Sequence, residues 1–212
     1  MNEVIGGDGT VLWSTNSYVG HEPHWDRIVN EANEFLKERI GVEERIDEVA
    51  LMFGGQWASN EFINAAVMEA GVTHFNASTD SVVTSPIPSK YTVRYDFLQK
   101  IGSAYRVECM ALLTGVSPLH SAFNVAAEDG PVTIHLSFKT ANENAYHQAC
   151  QQILRFGKLP LAQSCKSTYG RFSYWPMPLN DGGSIFLKPR VNTRDASLRI
   201  ASSTIDSSLV TP

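Results

Sequence analysis

The stretch PVTIHLSFKT, residues 131–140, alternates polar and apolar residues at a period of two. Successive side chains of a strand point to opposite faces, so Thr133, His135, Ser137 and Lys139 share one face. Ile134, Leu136 and Phe138 share the other, which is expected to meet helices. His135 is then expected on the opposite side, inside whatever the sheet encloses. Two earlier stretches follow the same rule. In IDEVALMF (46–53), Glu48, Ala50 and Met52 oppose Val49, Leu51 and Phe53. In YRVECMAL (105–112), Arg106, Glu108 and Met110 oppose Val107, Cys109 and Ala111. Three strands thus each present an ionisable group on one face.

Reading outward, the elements after residue 45 come in the same order twice. The first run is a strand over Ile46 to Phe53, then a helix capped by Ser59 or Asn60 and running through Ala70. Val72 to Phe75 and Val82 to Thr84 are short strand candidates, followed by Tyr91 to Leu98 and Ala104 to Leu112. After the connector TGVSPLHSAFNVAAEDG the order restarts with the strand 131–140 and a helix over Asn142 to Phe156. That helix is expected to turn Ala145, Ala149, Cys150, Ile153 and Leu154 inward. Strands over Leu159 to Ser167, Phe172 to Met177 and Ser184 to Leu187 follow, the last two joined by the turn Asn180-Asp181-Gly182-Gly183. Ahead of both runs, HWDRIVNEANEFLKERI (24–40) repeats its apolar residues at helical spacing and stops at Gly41. The expected fold is α+β: two βαβββ modules forming a curved mixed sheet cup, with an N-terminal amphipathic helix. The expected segments are 1–45 for the extension and helix, 46–130 and 131–191 for the modules, and 192–212 for a surface tail, one compact domain in all.

Composition narrows the function. The chain has 212 residues, 43% hydrophobic and 18% charged, which suits a globular protein rather than a disordered one. The net charge is −5 and Lys and Arg do not cluster, so no nucleic-acid partner is expected. No apolar run approaches the roughly 20 residues that span a bilayer, and MNEVIGGDGT lacks the pattern of a secretory signal. A cytoplasmic location, no membrane partner and a small-molecule ligand are expected, with a homodimer allowed. Cys109, Cys150 and Cys165 are widely spaced and lack a CxxC pair, so they read as reduced, buried small hydrophobes.

A duplicated βαβββ order resembles the vicinal oxygen chelate superfamily of glyoxalases and extradiol dioxygenases, and within it the YecM-like group of unestablished function. IDEVALMF, YRVECMAL, PVTIHLSFKT and the closing NDGGSIFLKP carry the likeness, over roughly Trp25 to Arg194. The resemblance implies metal ligands on the first and last strands of each module. At those positions stand Glu48, where a His is common, then Glu108 and His135, and finally Phe186, where a Glu is usual. It further implies a divalent metal (Fe, Mn, Ni or Zn) held by His135, Glu108 and Glu48, with Glu48 as third ligand or general base. An ion with open positions would chelate vicinal oxygens of an oxygen-rich organic substrate, for isomerase, lyase or oxygenase chemistry. The alternative is a metal-free protein that binds a small molecule or peptide in the same cup, its carboxylates paired with Arg106 or Lys139.

Other residues are read more plainly. His120 lies in the long connector, a place where loops lid pockets. His21 and His24 precede the first helix and read as capping, exposed residues; His147 reads as a surface residue. Cys165 beside Lys166 lacks an activating neighbour, because adjacent strand residues face apart. GGDGT and NDGGS are turns rather than phosphate loops. Tyr169, Phe172, Tyr174 and Trp175 read as core or pocket wall.

Overall fold

The structure is a computed structural model that describes residues 3–5, 11–14, 17–85, 90–118, 131–156, 160–167 and 170–192. Strands β1 (Glu3–Ile5) and β2 (Val11–Ser14) form an antiparallel pair. Helix α1 (Tyr18–Glu34) follows and runs into a π-helical segment over Phe35–Ile40. Gly41 ends it in the left-handed conformation, φ 72°, where the expected stop stood. Trp25, Ile28, Val29, Ala32 and Leu36 are buried, as the spacing requires. The helix starts six residues before the expected His24. Ser17 Oγ accepts from the Gly20 N–H, and the Glu69 carboxylate accepts from the Tyr18 and Val19 N–H groups, at 2.8 Å each. That second cap reaches across 51 residues of chain and has no local signature. His21 departs from its reading as an exposed cap: it is buried, stacked on Trp25 at 5.2 Å between ring centroids.

The duplicated order is present. The first run is β3 (Glu48–Phe53), α2 (Gln56–Val67), β4 (Val72–Ser85), β5 (Lys90–Lys100) and β6 (Arg106–Gly115). The second is β7 (Val132–Lys139), α3 (Glu143–Arg155), β8 (Ala162–Ser167), β9 (Gly170–Pro178) and β10 (Ser184–Asn192). The two short strands expected before Pro86 are one strand, β4, with a register shift between Phe75 and Ser78. Helix α2 starts after extended Gly55, so Ser59 sits inside it and buried rather than capping it. In α3, Tyr146, Ala149 and Ile153 are the buried stripe, while Leu154 is 47% exposed. Among the described residues no helix is long and apolar enough to cross a membrane.

The cup closes into an eight-stranded barrel of order β10-β7-β3-β6-β5-β4-β8-β9. Each module contributes a parallel pair of its first and last strands, β3 with β6 and β7 with β10. β3 and β7 meet antiparallel at one seam, and β4 and β8 close the other through three residue pairs. Outside the barrel, Val49, Leu51, Phe53, Val107, Leu136, Phe138 and Leu187 pack with the helices in one core cluster. Ala50, Met52, Met110, Ile134, Phe172, Tyr174 and others form a second, separate cluster on the inner face. A barrel of this size is filled by its own side chains.

One strand departs from simple alternation. Ala50 pairs with His135 but Leu51 pairs with Thr133, so Ile134 is the extra residue of a β-bulge. Beyond the bulge Thr133 faces the helices and accepts a hydrogen bond from Trp25 Nε1 at 3.2 Å, while Ile134 joins the inner cluster. Both therefore lie on the face opposite to that expected from period two. His135, Leu136, Ser137 and Phe138 keep theirs.

Candidate functional site

Two rows of inward side chains cross the central strands, the first from β10 to β5 and the second from β10 to β6. One runs Phe186, His135, Ala50, Glu108 and Phe97; the next runs Lys188, Ser137, Glu48 and Arg106. Ala50 and Ser137 are small, so the long side chains flanking them lean together over the gap. Glu48, Glu108 and His135, expected to share one pocket, do so. One ligand atom from each lies within 4.8 Å of the others, and all three residues are buried.

Burial without partners is costly, so the hydrogen-bond inventory matters. Glu48 Oε2 accepts from Arg106 Nε at 2.9 Å and Nη2 at 2.6 Å, a fork that fixes its orientation. The Arg106 guanidinium also lies 4.2 Å from the centre of the Phe97 ring. Glu48 Oε1 has no hydrogen-bond partner and faces the gap. His135 is fully buried, and neither ring nitrogen makes a hydrogen bond; Nε2 is 3.3 Å from Glu108 Oε2 but is not directed along one. Tyr174 covers the imidazole at 5.4 Å between centroids.

The electrostatics sort the three groups. Burial pushes the His135 imidazole down to about 4, with the nearby Lys188 charge helping, so it is neutral at pH 7. Burial alone would raise both carboxyls. Arg106, Arg190 and Lys188 outweigh it at Glu48 and hold it well below the ordinary range. At Glu108, burial and the Glu48 charge act upward, the Lys188 ammonium is the largest influence opposing them, and the net shift is downward. An unprotonated imidazole beside two carboxylates is the ionisation state a divalent ion requires.

The gap already holds a cation. Lys188 Nζ donates to Glu108 Oε2 at 3.1 Å and lies 3.6 Å from Glu48 Oε1. It also stands 5.1 Å over the Phe172 ring. Lys188 was not among the expected site residues. The resemblance puts Phe186 at the position that matches Glu108 in the second module, and the register corrects this. Glu108 pairs with Ala50, two residues after Glu48, and Lys188 pairs with Ser137, two residues after His135. Lys188 is thus the counterpart, and Phe186 packs in the inner cluster one step away. The signal was present in FLKPR, where Phe186, Lys188 and Arg190 alternate. The expected strand ended at Leu187, short of Pro189, whereas β10 continues through it to Asn192. Arg190 was missed for the same reason; it donates to Asp47 at 2.7 Å and to Ser137 Oγ at 3.1 Å. Lys139, expected as a carboxylate partner, is exposed.

A small cavity of about 40 Å³ adjoins these residues, lined among others by Asp80, Tyr95, Arg171 and Phe172. It has room for a few waters or a single ion. His120 and Tyr169 lie outside the described residues. His24 is on helix α1 and His147 on the exposed side of α3, both away from the gap. Cys165 is buried on the inner face, and burial pushes its thiol up to about 12, so it is no thiolate nucleophile at neutral pH.

No family model and no curated protein matches the chain. Among solved structures it is similar to methylmalonyl-CoA epimerase from Mycobacterium tuberculosis, with 16% identity and a TM-score of 0.44 over 74% of this chain and 91% of that one. It is also similar to a mutant 4-hydroxymandelate synthase from Streptomyces coelicolor, with 14% identity and a TM-score of 0.36 over 76% and 52% of the respective chains. A xylose isomerase-like TIM barrel/4-hydroxyphenylpyruvate dioxygenase fusion protein follows at 11% identity and a TM-score of 0.30, over 76% of this chain and 29% of that one.

Proposed function

We propose that the chain is a small-molecule enzyme of the vicinal oxygen chelate superfamily, akin to the YecM-like group, with a divalent metal held by Glu48, Glu108 and His135. The observation that carries this is His135: a fully buried imidazole, both nitrogens without a hydrogen bond, facing two carboxylates. Two carboxylates and an imidazole suit Fe, Mn, Ni or Zn by donor type. A bound ion supplies a Lewis acid that polarises an oxygen of the substrate. The protein residues do the rest. The Arg106 fork holds Glu48 as an anion through Oε2 and leaves Oε1 without a hydrogen bond, so Glu48 would serve a bound ion as a ligand rather than as a proton acceptor. Tyr174 and Phe172 wall the imidazole and exclude bulk water. The substrate class is a small oxygen-rich organic molecule, with the reaction an isomerisation, elimination or oxygenation.

Lys188 favours a second reading, in which the same barrel binds a small anionic molecule without metal and the ammonium is the electrophilic group. Equilibrium titration with Co²⁺, followed by visible absorption and calorimetry, separates the two. The enzyme reading expects one saturable site that Glu108→Gln abolishes without changing the circular dichroism. No saturable binding in the millimolar range would leave the metal-free reading standing.

A further inference from the structure

The metal proposed above has a competitor built into the fold. Glu48 Oε1 and Glu108 Oε2, the carboxylate oxygens that face the gap, lie 3.6 and 3.1 Å from Lys188 Nζ. Lys188 stands on β10 where the strand register places the counterpart of Glu108, so it occupies the position from which a fourth side chain would approach the same point. Its side chain is 7% exposed and its ammonium lies over Phe172, so it is packed into the gap rather than passing along its rim. The cations around the donors complete the charge balance. Arg106 is bonded to Glu48, and Arg190 is 3.9 Å from the same carboxylate while bonded to Asp47. The two buried carboxylates are thus balanced by Lys188, Arg106 and Arg190.

We propose that the Lys188 ammonium is the resident cation of the Glu48–Glu108–His135 seat, and that a divalent ion enters only by displacing it. This rests on the metal reading of the site. A lysine is a point charge on a flexible stem, able to leave the seat by rotation of its side chain. A divalent ion and the ammonium cannot share the gap, because unit charges about 4 Å apart repel by several kcal/mol even at the effective dielectric of a protein surface. Lys188 therefore sets the metal affinity without touching the metal: it is a positioning and competing residue, not a ligand.

The test compares Co²⁺ and Zn²⁺ affinity, by calorimetry and by the visible absorption of Co²⁺, in the full-length protein and its variants. Lys188→Met keeps the stem and removes the charge, and is expected to bind at least roughly tenfold more tightly than the parent. Lys188→Arg keeps the charge and is expected to bind no more tightly. Glu108→Gln combined with Lys188→Met is expected to lose the Co²⁺ band, which ties the gained site to this seat. Equal affinity for the parent and Lys188→Met overturns the competition but leaves the metal reading intact. No binding by either overturns both. If Lys188→Met leaves two buried carboxylates too poorly matched to fold, Lys188→Gln, which can still donate to Glu108, carries the same comparison.

Discussion

Arg106 is the residue on which the geometry of the site most depends. It bonds Glu48 twice from the neighbouring strand, and its guanidinium packs on Phe97. Removing one partner of a buried pair strands the other charge, so Arg106→Met is expected to cost about 3 kcal/mol in chemical denaturation. Glu48→Gln, which removes the charge but keeps the shape, is expected to cost less. A second residue-scale outcome concerns pH. Burial pushes His21 and His135 down to about 4 from the ordinary 6.5. Between those values the unfolded chain binds more protons than the folded one. Stability is therefore full above pH 6.5 and falls as the pH drops toward 4, by on the order of 3 kcal/mol per imidazole. Unfolding midpoints measured from pH 7 to pH 4 check this. His21→Phe, which keeps a ring against Trp25, is expected to remove about half of the decline.

At the scale of elements, two features tie local structure to distant chain. Helix α1 begins where it does because Glu69, two residues past the end of α2, accepts from its first two N–H groups. Glu69→Ala is expected to destabilise the protein by about 1–2 kcal/mol and to raise hydrogen exchange at Tyr18 and Val19 ahead of the rest of the helix. Strand β7 carries the other feature, the bulge at Ile134. By turning Thr133 outward to Trp25 it docks the helix, and by turning Ile134 inward it fills the barrel beside His135. The gap between the donors depends on a small neighbour as well. Ala50 separates His135 from Glu108 across three strands, and Ala50→Leu is expected to wedge them apart and abolish Co²⁺ binding at a stability cost of about 1–3 kcal/mol.

For the whole molecule, the two seams of the barrel are unequal. β3 and β7 join at the centre, flanked by parallel pairs and covered by helices, whereas β4 and β8 meet through only the pairs Val83–Lys166, Thr84–Cys165 and Ser85–Ser164. Val83 is 50% exposed at that edge. Native-state hydrogen exchange is expected to show the β4–β8 amides opening at lower free energy than those of β3 and β7. Protection as high at β4–β8 as at β3–β7 would show that closure is as firm as the central seam. Opening at this seam would turn the barrel into the open cup expected from the sequence and expose the inner cluster.

The element order, the inward faces of β3, β6 and the second half of β7, and the meeting of Glu48, Glu108 and His135 were legible in the sequence. Alternation and helical spacing are local, and a duplicated order confines two modules to one shared sheet. Four things were decided only in three dimensions. The N-terminus of α1 depends on a carboxylate 51 residues away. The bulge at Ile134 depends on the register of β7 against β3 and breaks the period that a pattern alone would extend. Barrel closure depends on the curvature of eight strands summed. The occupancy of the site by Lys188 depends on β10 running through Pro189, which its flanking parallel and antiparallel partners hold in strand conformation despite the missing N–H. Sequence periodicity says which face a side chain takes. Which charge stands opposite it is a matter of register between strands far apart in the chain, and register is a tertiary quantity.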